Sequence, residues 1–99
     1  MVKQIIWSPK ALDERKDILT YWNLRNKSNS YSKKLDRLFK EATKIIKSFP
    51  KVGKLTDSEN VRIKIVRDYL IIYEETENTI NILSIWDGRQ DPSKLKGIV

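Results

Sequence analysis

The sequence predicts an α+β domain with the element order β-α-α-β-β-β, in which a hairpin of two helices packs on one face of a small, mainly antiparallel sheet. Two patterns of apolar residues support this prediction. Apolar residues recur at steps of three and four between Pro9 and Phe49, and they alternate with other residues from Val61 onward. The 99 residues contain no repeat and no low-complexity linker, so we expect a single domain over residues 1–99.

The first strand is predicted from Lys3 to Trp7, a short segment rich in β-favouring residues. Ser8 can cap the free N–H groups of a following helix, and Pro9 suits the first helical position because its missing N–H needs no partner there. The helix is expected to run to about Asn26. Its inward stripe recurs at helical spacing as Leu12, Arg15, Ile18, Leu19 and Trp22, and Ala11 and Tyr21 widen it.

A second helix is predicted after the polar turn 26–29, and Pro50 ends it. Its apolar positions are Tyr31, Leu35, Leu38, Phe39, Ala42, Ile45, Ile46 and Phe49. Two amphipathic helices joined by a short turn pack antiparallel, and their remaining apolar surface requires a sheet.

Three strands are predicted to form a meander at 61–66, 69–75 and 79–86, with turns at 67–68 and 77–78. In the first of these strands we expect Val61, Ile63 and Ile65 to face the helices. Arg62 and Lys64 would then lie on the open face of the sheet. The strand at 3–7 is expected to join this sheet at an edge, because it would not be stable alone.

The sequence contains no Cys and no His, which excludes disulfides, Cys/His metal sites and catalytic arrangements built on imidazole or thiolate. We therefore expect no cofactor and no metal. No run of about 18 apolar residues and no signal-like segment occurs, so we expect a cytoplasmic protein without a membrane partner.

Positive charge is concentrated in the middle of the chain. The net charge is +7, and the segment 25–54 holds ten basic residues and two acidic ones. On the second helix these residues form a basic ridge at helical spacing: Lys33, Arg37, Lys40, Lys44 and Lys47. Two interpretations are open, a solvated helix face or a surface for an acidic protein or a phosphate backbone.

A smaller cationic group consists of Arg62 and Lys64 on one strand face, with Arg67 at the following turn. It marks either a ligand site or an ordinary solvent-facing strand. The segment from Trp86 onward is more distinctive. Trp86 suits base stacking or packing in the core or at the sheet edge. Asp87 suits a general base or, with Asp91, a residue that fixes Arg89 or caps the turn at Gly88.

Three stretches resemble one known family: Ile5 to Ala11, the hairpin from Val61 to Tyr73, and the tail from Trp86 to Pro92. The chain resembles the RelE/ParE superfamily of toxins from type II toxin-antitoxin systems, often labelled plasmid stabilisation proteins. The resemblance implies the sheet and helix hairpin predicted above. It also implies a cognate antitoxin, with a dimer or a toxin-antitoxin heterotetramer as the expected assembly.

This superfamily has two modes of action. RelE-like members are ribosome-dependent, metal-independent mRNA endoribonucleases, whereas ParE-like members poison DNA gyrase. Arg62 and Lys64 match two nuclease cations, the third falls near Leu70, which is apolar, and Arg89 is the candidate for the arginine that follows the last strand. No tyrosine or histidine follows Tyr73, which favours the ParE-like branch.

The sequence leaves open whether the protein is an enzyme, and it also allows a third function, a non-toxic basic nucleic-acid-binding module. The residues expected to bind the target or nucleic acid are Arg62, Lys64, Arg67, Trp86, Asp87 and Arg89. The basic ridge is the expected surface for the antitoxin.

Overall fold

The structure, a computed structural model, describes residues 3–89. It has the predicted α+β architecture, with one short additional strand. The elements are β1 (Gln4–Trp7), α1 (Pro9–Asn26), α2 (Ser30–Ser48), β2 (Lys54–Leu55), β3 (Val61–Val66), β4 (Tyr69–Glu75) and β5 (Thr79–Asp87).

The strands form one five-stranded sheet in the order β1-β5-β4-β3-β2. β1 lies at an edge, as expected, and pairs parallel with β5, where Ile5 stands opposite Ile80. The other neighbouring strands are antiparallel. The additional strand β2 pairs with β3 over only two residues, too few for a pattern in the sequence to reveal it.

The start of α1 follows the predicted chemistry. The Ser8 hydroxyl accepts a 3.0 Å hydrogen bond from the Ala11 amide, and Pro9 occupies the first helical turn. Lys27 ends the helix in a left-handed conformation at φ 51°. Arg15 joins α1 to α2, since its Nε donates to Asp36 Oδ1 at 2.7 Å. No helix within residues 3–89 is long and apolar enough to cross a membrane.

The core lies between α2 and the two central strands. Leu35, Phe39 and Ile46 of α2 are fully buried against Ile71 and Ile82 of the sheet. α1 contributes less than its predicted stripe. Ala11 is fully buried, whereas Leu12 and Tyr21 stay about half exposed because only a narrow strip of this helix faces the sheet.

The prediction that Val61, Ile63 and Ile65 of β3 face the helices is wrong. Arg62 stands opposite Tyr73, and Lys64 stands opposite Ile71. Paired residues of an antiparallel ladder share a face, and Tyr73 and Ile71 belong to the core beneath the helices. Arg62 and Lys64 therefore lie on the helix side of the sheet. Two helices do not cover five strands, so these positions near the sheet's margin accommodate long cations.

Candidate functional site

A cleft of about 390 Å³ lies between α1 and the end of β5. It brings together three residues that the sequence singled out, Trp86, Asp87 and Arg89. Its wall also contains the carboxylates of Glu14 and Asp17 and the rings of Tyr21 and Tyr69. The cleft thus combines aromatic surface with charges of both signs.

Asp87 and Arg89 form a bidentate ion pair at the mouth of this cleft. Arg89 Nε donates to Asp87 Oδ1 at 3.0 Å, and its terminal NH2 nitrogen donates to Oδ2 at 2.8 Å. These hydrogen bonds hold the pKa of Asp87 below its ordinary value and raise the pKa of Arg89. Asp87 therefore fixes Arg89, which is one of the roles proposed for it from sequence. Asp91, the other carboxylate considered for that role, lies outside the described residues.

Trp22 forms the aromatic centre beneath Arg89. The Arg89 guanidinium lies 5.9 Å from the Trp22 ring centroid. The indole Nε1–H donates to the Tyr69 hydroxyl at 2.8 Å, and burial raises the pKa of Tyr69. The sequence places Trp22 in an apolar stripe, and the structure agrees that it packs against the core. Nothing in its spacing indicated the contact with Arg89.

Glu14 is a site residue that the sequence analysis missed. Its Oε1 accepts hydrogen bonds from the Ser84 hydroxyl at 2.8 Å and from the Ile85 amide at 3.1 Å. These contacts lie close to a bulge, where the register of β5 against β4 shifts by one residue. The sequence did indicate that Glu14 points inward, because it shares one face of α1 with Ala11 and Ile18 at helical spacing.

Arg62, the first predicted cation of β3, supports a loop. One of its terminal nitrogens donates to the carbonyl oxygens of Gly53 at 2.9 Å and Lys51 at 3.2 Å. Tyr73 supports the same loop, since its hydroxyl donates to the Pro50 carbonyl at 2.8 Å and accepts from the Gly53 amide at 2.9 Å. Arg62 is thereby engaged by backbone oxygens.

The other two cations of this group occupy different surroundings. Lys64 lines a shallow depression with Glu41 and Ile45 of α2. Arg67 is exposed at the β3–β4 turn, where it adopts a left-handed conformation at φ 57°.

The three predicted nuclease cations do not meet. Ile71 links Lys64 to Ile85 in one row across β3, β4 and β5, and Asp87 follows two residues later. With strands about 4.8 Å apart and a rise of about 3.3 Å per residue, the Cα atoms of Lys64 and Asp87 are separated by about 12 Å. The corresponding separation for Arg62 is about 16 Å. Arg89 lies farther along the chain, and its side chain turns toward Trp22.

The basic ridge on α2 is exposed along its whole length. All five members, Lys33, Arg37, Lys40, Lys44 and Lys47, are exposed. Lys40 forms an ion pair with Asp36 at 3.4 Å, one turn away. The ridge lies opposite the buried face formed by Leu35, Phe39 and Ile46. It is therefore a continuous cationic strip accessible to a partner.

The fold is that of a small α+β domain in which a helix hairpin packs on one face of a mixed five-stranded sheet, with a basic outer helix. The family model for the ParE toxin of the type II toxin-antitoxin system parDE matches residues 5–92, and the chain belongs to this family. The protein is thus a ParE-like member of the RelE/ParE superfamily and a type II toxin. This confirms the resemblance seen in the sequence.

Solved structures show the same fold. A chain described as the chromosomal ParDE TA system from P. aeruginosa superposes with a TM-score of 0.75 at 16% sequence identity. The match covers 85% of this chain and 94% of that one. Among curated proteins, none matches this chain.

Proposed function

We propose that this toxin is a ParE-like inhibitor of DNA gyrase and that a cognate antitoxin neutralises it. The observation that carries this choice over an RNA-cleaving function is the dispersal of the three predicted nuclease cations. Arg62 of β3 binds loop carbonyls, whereas Arg89, which follows the end of β5, is paired with Asp87. Membership of the ParE toxin family supports the same choice.

The separation of Arg62, Lys64 and Arg89 argues against RNA cleavage, because that reaction needs its catalytic groups close together. Attack by a ribose 2′-hydroxyl needs a base for the nucleophile, an acid for the leaving oxygen and cations converging on one phosphate. The sequence contains no His. Asp87 is a poor base, since its pKa is held low by Arg89. A surface that acts by contact with a protein has none of these requirements.

The direct test is a gyrase supercoiling and cleavage-complex assay with the purified full chain. We expect loss of supercoiling and accumulation of cleaved DNA. Mapping of transcript ends on translating ribosomes should show no new cuts. Intact gyrase activity would contradict the proposal, and ribosome-dependent cuts abolished by Arg62→Ala or Lys64→Ala would replace it with an mRNA endoribonuclease.

We propose that the toxin contacts gyrase through the cleft between α1 and β5, with Trp86, Asp87 and Arg89 as contact residues. Arg89→Ala, which removes the exposed cation, should weaken gyrase inhibition. Lys64→Ala changes a cation of β3 that lies outside the cleft, about 12 Å from Asp87, and serves as the matched control. Equal inhibition by both variants would exclude the cleft as the contact surface.

For the antitoxin we propose an acidic segment bound along the basic ridge of α2, in a toxin-antitoxin heterotetramer. Growth arrest by the chain alone, relieved by co-expression of the neighbouring small gene, is the expected result. A chain that binds DNA without arresting growth would instead be a basic nucleic-acid-binding module.

A further inference from the structure

The segment from residue 49 to residue 55, a loop after α2 that ends in the short strand β2 and is called the 49–55 loop below, exposes three large apolar side chains. Phe49 is 68% exposed, Val52 is 44% exposed and Leu55 is 69% exposed. Single exposed apolar residues are normal on a soluble protein, but three within seven residues form a local patch. Folding does not account for this patch, because none of the three belongs to the core or packs against it.

The 49–55 loop is held in one conformation. Tyr73 binds the Pro50 carbonyl and the Gly53 amide, while Arg62 binds the carbonyl oxygens of Lys51 and Gly53. The Val52 amide also donates to the Phe49 carbonyl at 2.9 Å. A preorganised loop loses little conformational entropy when a partner binds, so its exposed side chains can contribute to affinity at low cost.

The charge around the loop defines the partner. Lys47, Lys51 and Lys54 are exposed among the apolar residues, and no acidic residue occurs between Glu41 and Asp57. Lys47 is also the last member of the basic ridge on α2. The ridge therefore continues into the apolar patch, and one elongated partner can contact both.

The apolar side chains favour a protein over a nucleic acid. Single-stranded nucleic acids bind through aromatic rings that stack on bases, and Val52 and Leu55 are aliphatic. Apolar contacts ringed by charge are typical of protein interfaces. A helix with Leu on one face and Glu on the other complements both the patch and the lysines.

We infer that the 49–55 loop is the apolar anchor for an acidic amphipathic segment of the antitoxin, an inference that rests on the proposed toxin-antitoxin function. The anchor places the segment's apolar side chains on Phe49, Val52 and Leu55. The acidic side chains then continue along the ridge. Tyr73 and Arg62 act as positioning residues, because they hold the loop without belonging to its exposed patch.

The test measures binding of the full chain to a synthetic 18-residue acidic helix with Leu on one face and Glu on the other. We expect Phe49→Ser combined with Leu55→Ser to weaken the affinity by about tenfold, as loss of an interface anchor does. Leu24→Ser is the matched control, since Leu24 on α1 is 74% exposed. Tyr73→Phe should also weaken binding, although the patch itself is unchanged.

Three outcomes would overturn the inference. These are equal affinity of the double variant and the Leu24→Ser control, equal binding of a peptide with the same residues in scrambled order, and tighter binding of a DNA duplex that depends on the loop. Gyrase inhibition by the same variants is measured separately. If the wild-type chain spares gyrase but its peptide binding needs the loop, the gyrase proposal fails and the anchor stands.

Discussion

The indole of Trp22 and the hydroxyl of Tyr69 form a 2.8 Å hydrogen bond that joins α1 to β4. Both residues lie beneath the cleft in which Arg89 is paired with Asp87. The Tyr69 ring also packs edge-on against Phe39 of α2 at a centroid distance of 5.8 Å. Tyr69 thus links both helices to the sheet next to the candidate target-binding surface.

Removal of this hydroxyl by Tyr69→Phe should lower the free energy of unfolding by about 1–2 kcal/mol, because the half-buried indole N–H loses its partner. The ring contact with Phe39 is preserved. Urea denaturation of Tyr69→Phe, Trp22→Phe and the double variant measures the coupling. If the two single losses simply add, the residues do not interact in the way described.

Gly53 is constrained by close contacts. A Cβ added there would lie 2.7 Å from the Tyr73 hydroxyl and 2.9 Å from the Ile63 carbonyl oxygen. We expect Gly53→Ala to destabilise the protein by about 1–3 kcal/mol, the usual range for overpacking. Lys51→Ala, two residues earlier at an exposed position, is the control in a thermal denaturation experiment. Equal melting temperatures for the two variants would contradict the observed packing.

Arg62 and Lys64 share a strand face but should behave differently. Arg62→Ala removes two hydrogen bonds to the 49–55 loop, so the Gly53 amide should exchange with deuterium faster. Lys64→Ala should leave that exchange unchanged. Hydrogen exchange of the amides of residues 51–53 in both variants gives the comparison, and matching rates would mean that Arg62 does not hold the loop.

The fold was largely predictable from sequence because its signals are local. Periodicity marked the boundaries of α2, and Ser8 with Pro9 marked the start of α1. The facing of β3 was not predictable by alternation. Which face is buried depends on how far the helix layer reaches across the sheet, and no pattern within Val61–Val66 records that distance.

The site was predicted in part. Asp87 was expected to fix Arg89, and the pairing is present because the two are near neighbours across a turn. Glu14 was missed because its partners, Ser84 and Ile85, are about 70 residues away along the chain. Arg62 was identified as a cation, but its bonds to loop carbonyls depend on the tertiary path of residues 50–53.

Acid should destabilise the protein partly through Asp87. Its pKa is lower in the folded chain, chiefly because Arg89 donates hydrogen bonds to the carboxylate. Its contribution to stability is therefore present above the unfolded pKa of about 3.9 and is lost as pH falls through the folded value. In Asp87→Asn, the free energy of unfolding measured by chemical denaturation should fall less steeply with decreasing pH below about pH 4. Asp57→Asn, in an exposed loop, is the control. An unchanged slope in Asp87→Asn would reject this assignment.

The basic ridge should govern the salt dependence of antitoxin binding. Replacement of Lys33, Arg37, Lys44 and Lys47 by Gln should weaken binding and reduce its sensitivity to salt, because exposed charges act over about 10 Å at 0.1 M salt. Unfolding free energy should change by less than about 0.5 kcal/mol, since these positions are exposed. Titration calorimetry with the antitoxin at several salt concentrations is the measurement. Unaltered salt sensitivity would exclude the ridge as the binding surface.

The parallel pairing of β1 with β5 has a consequence for biosynthesis. β1 is made first, but its partner, residues 79–82, is made near the end of the described chain. Contacts between such distant segments form slowly, since a long loop must close before they contribute. The sheet is therefore incomplete while the ribosome is still translating, and the toxin reaches its final shape only after synthesis has passed β5.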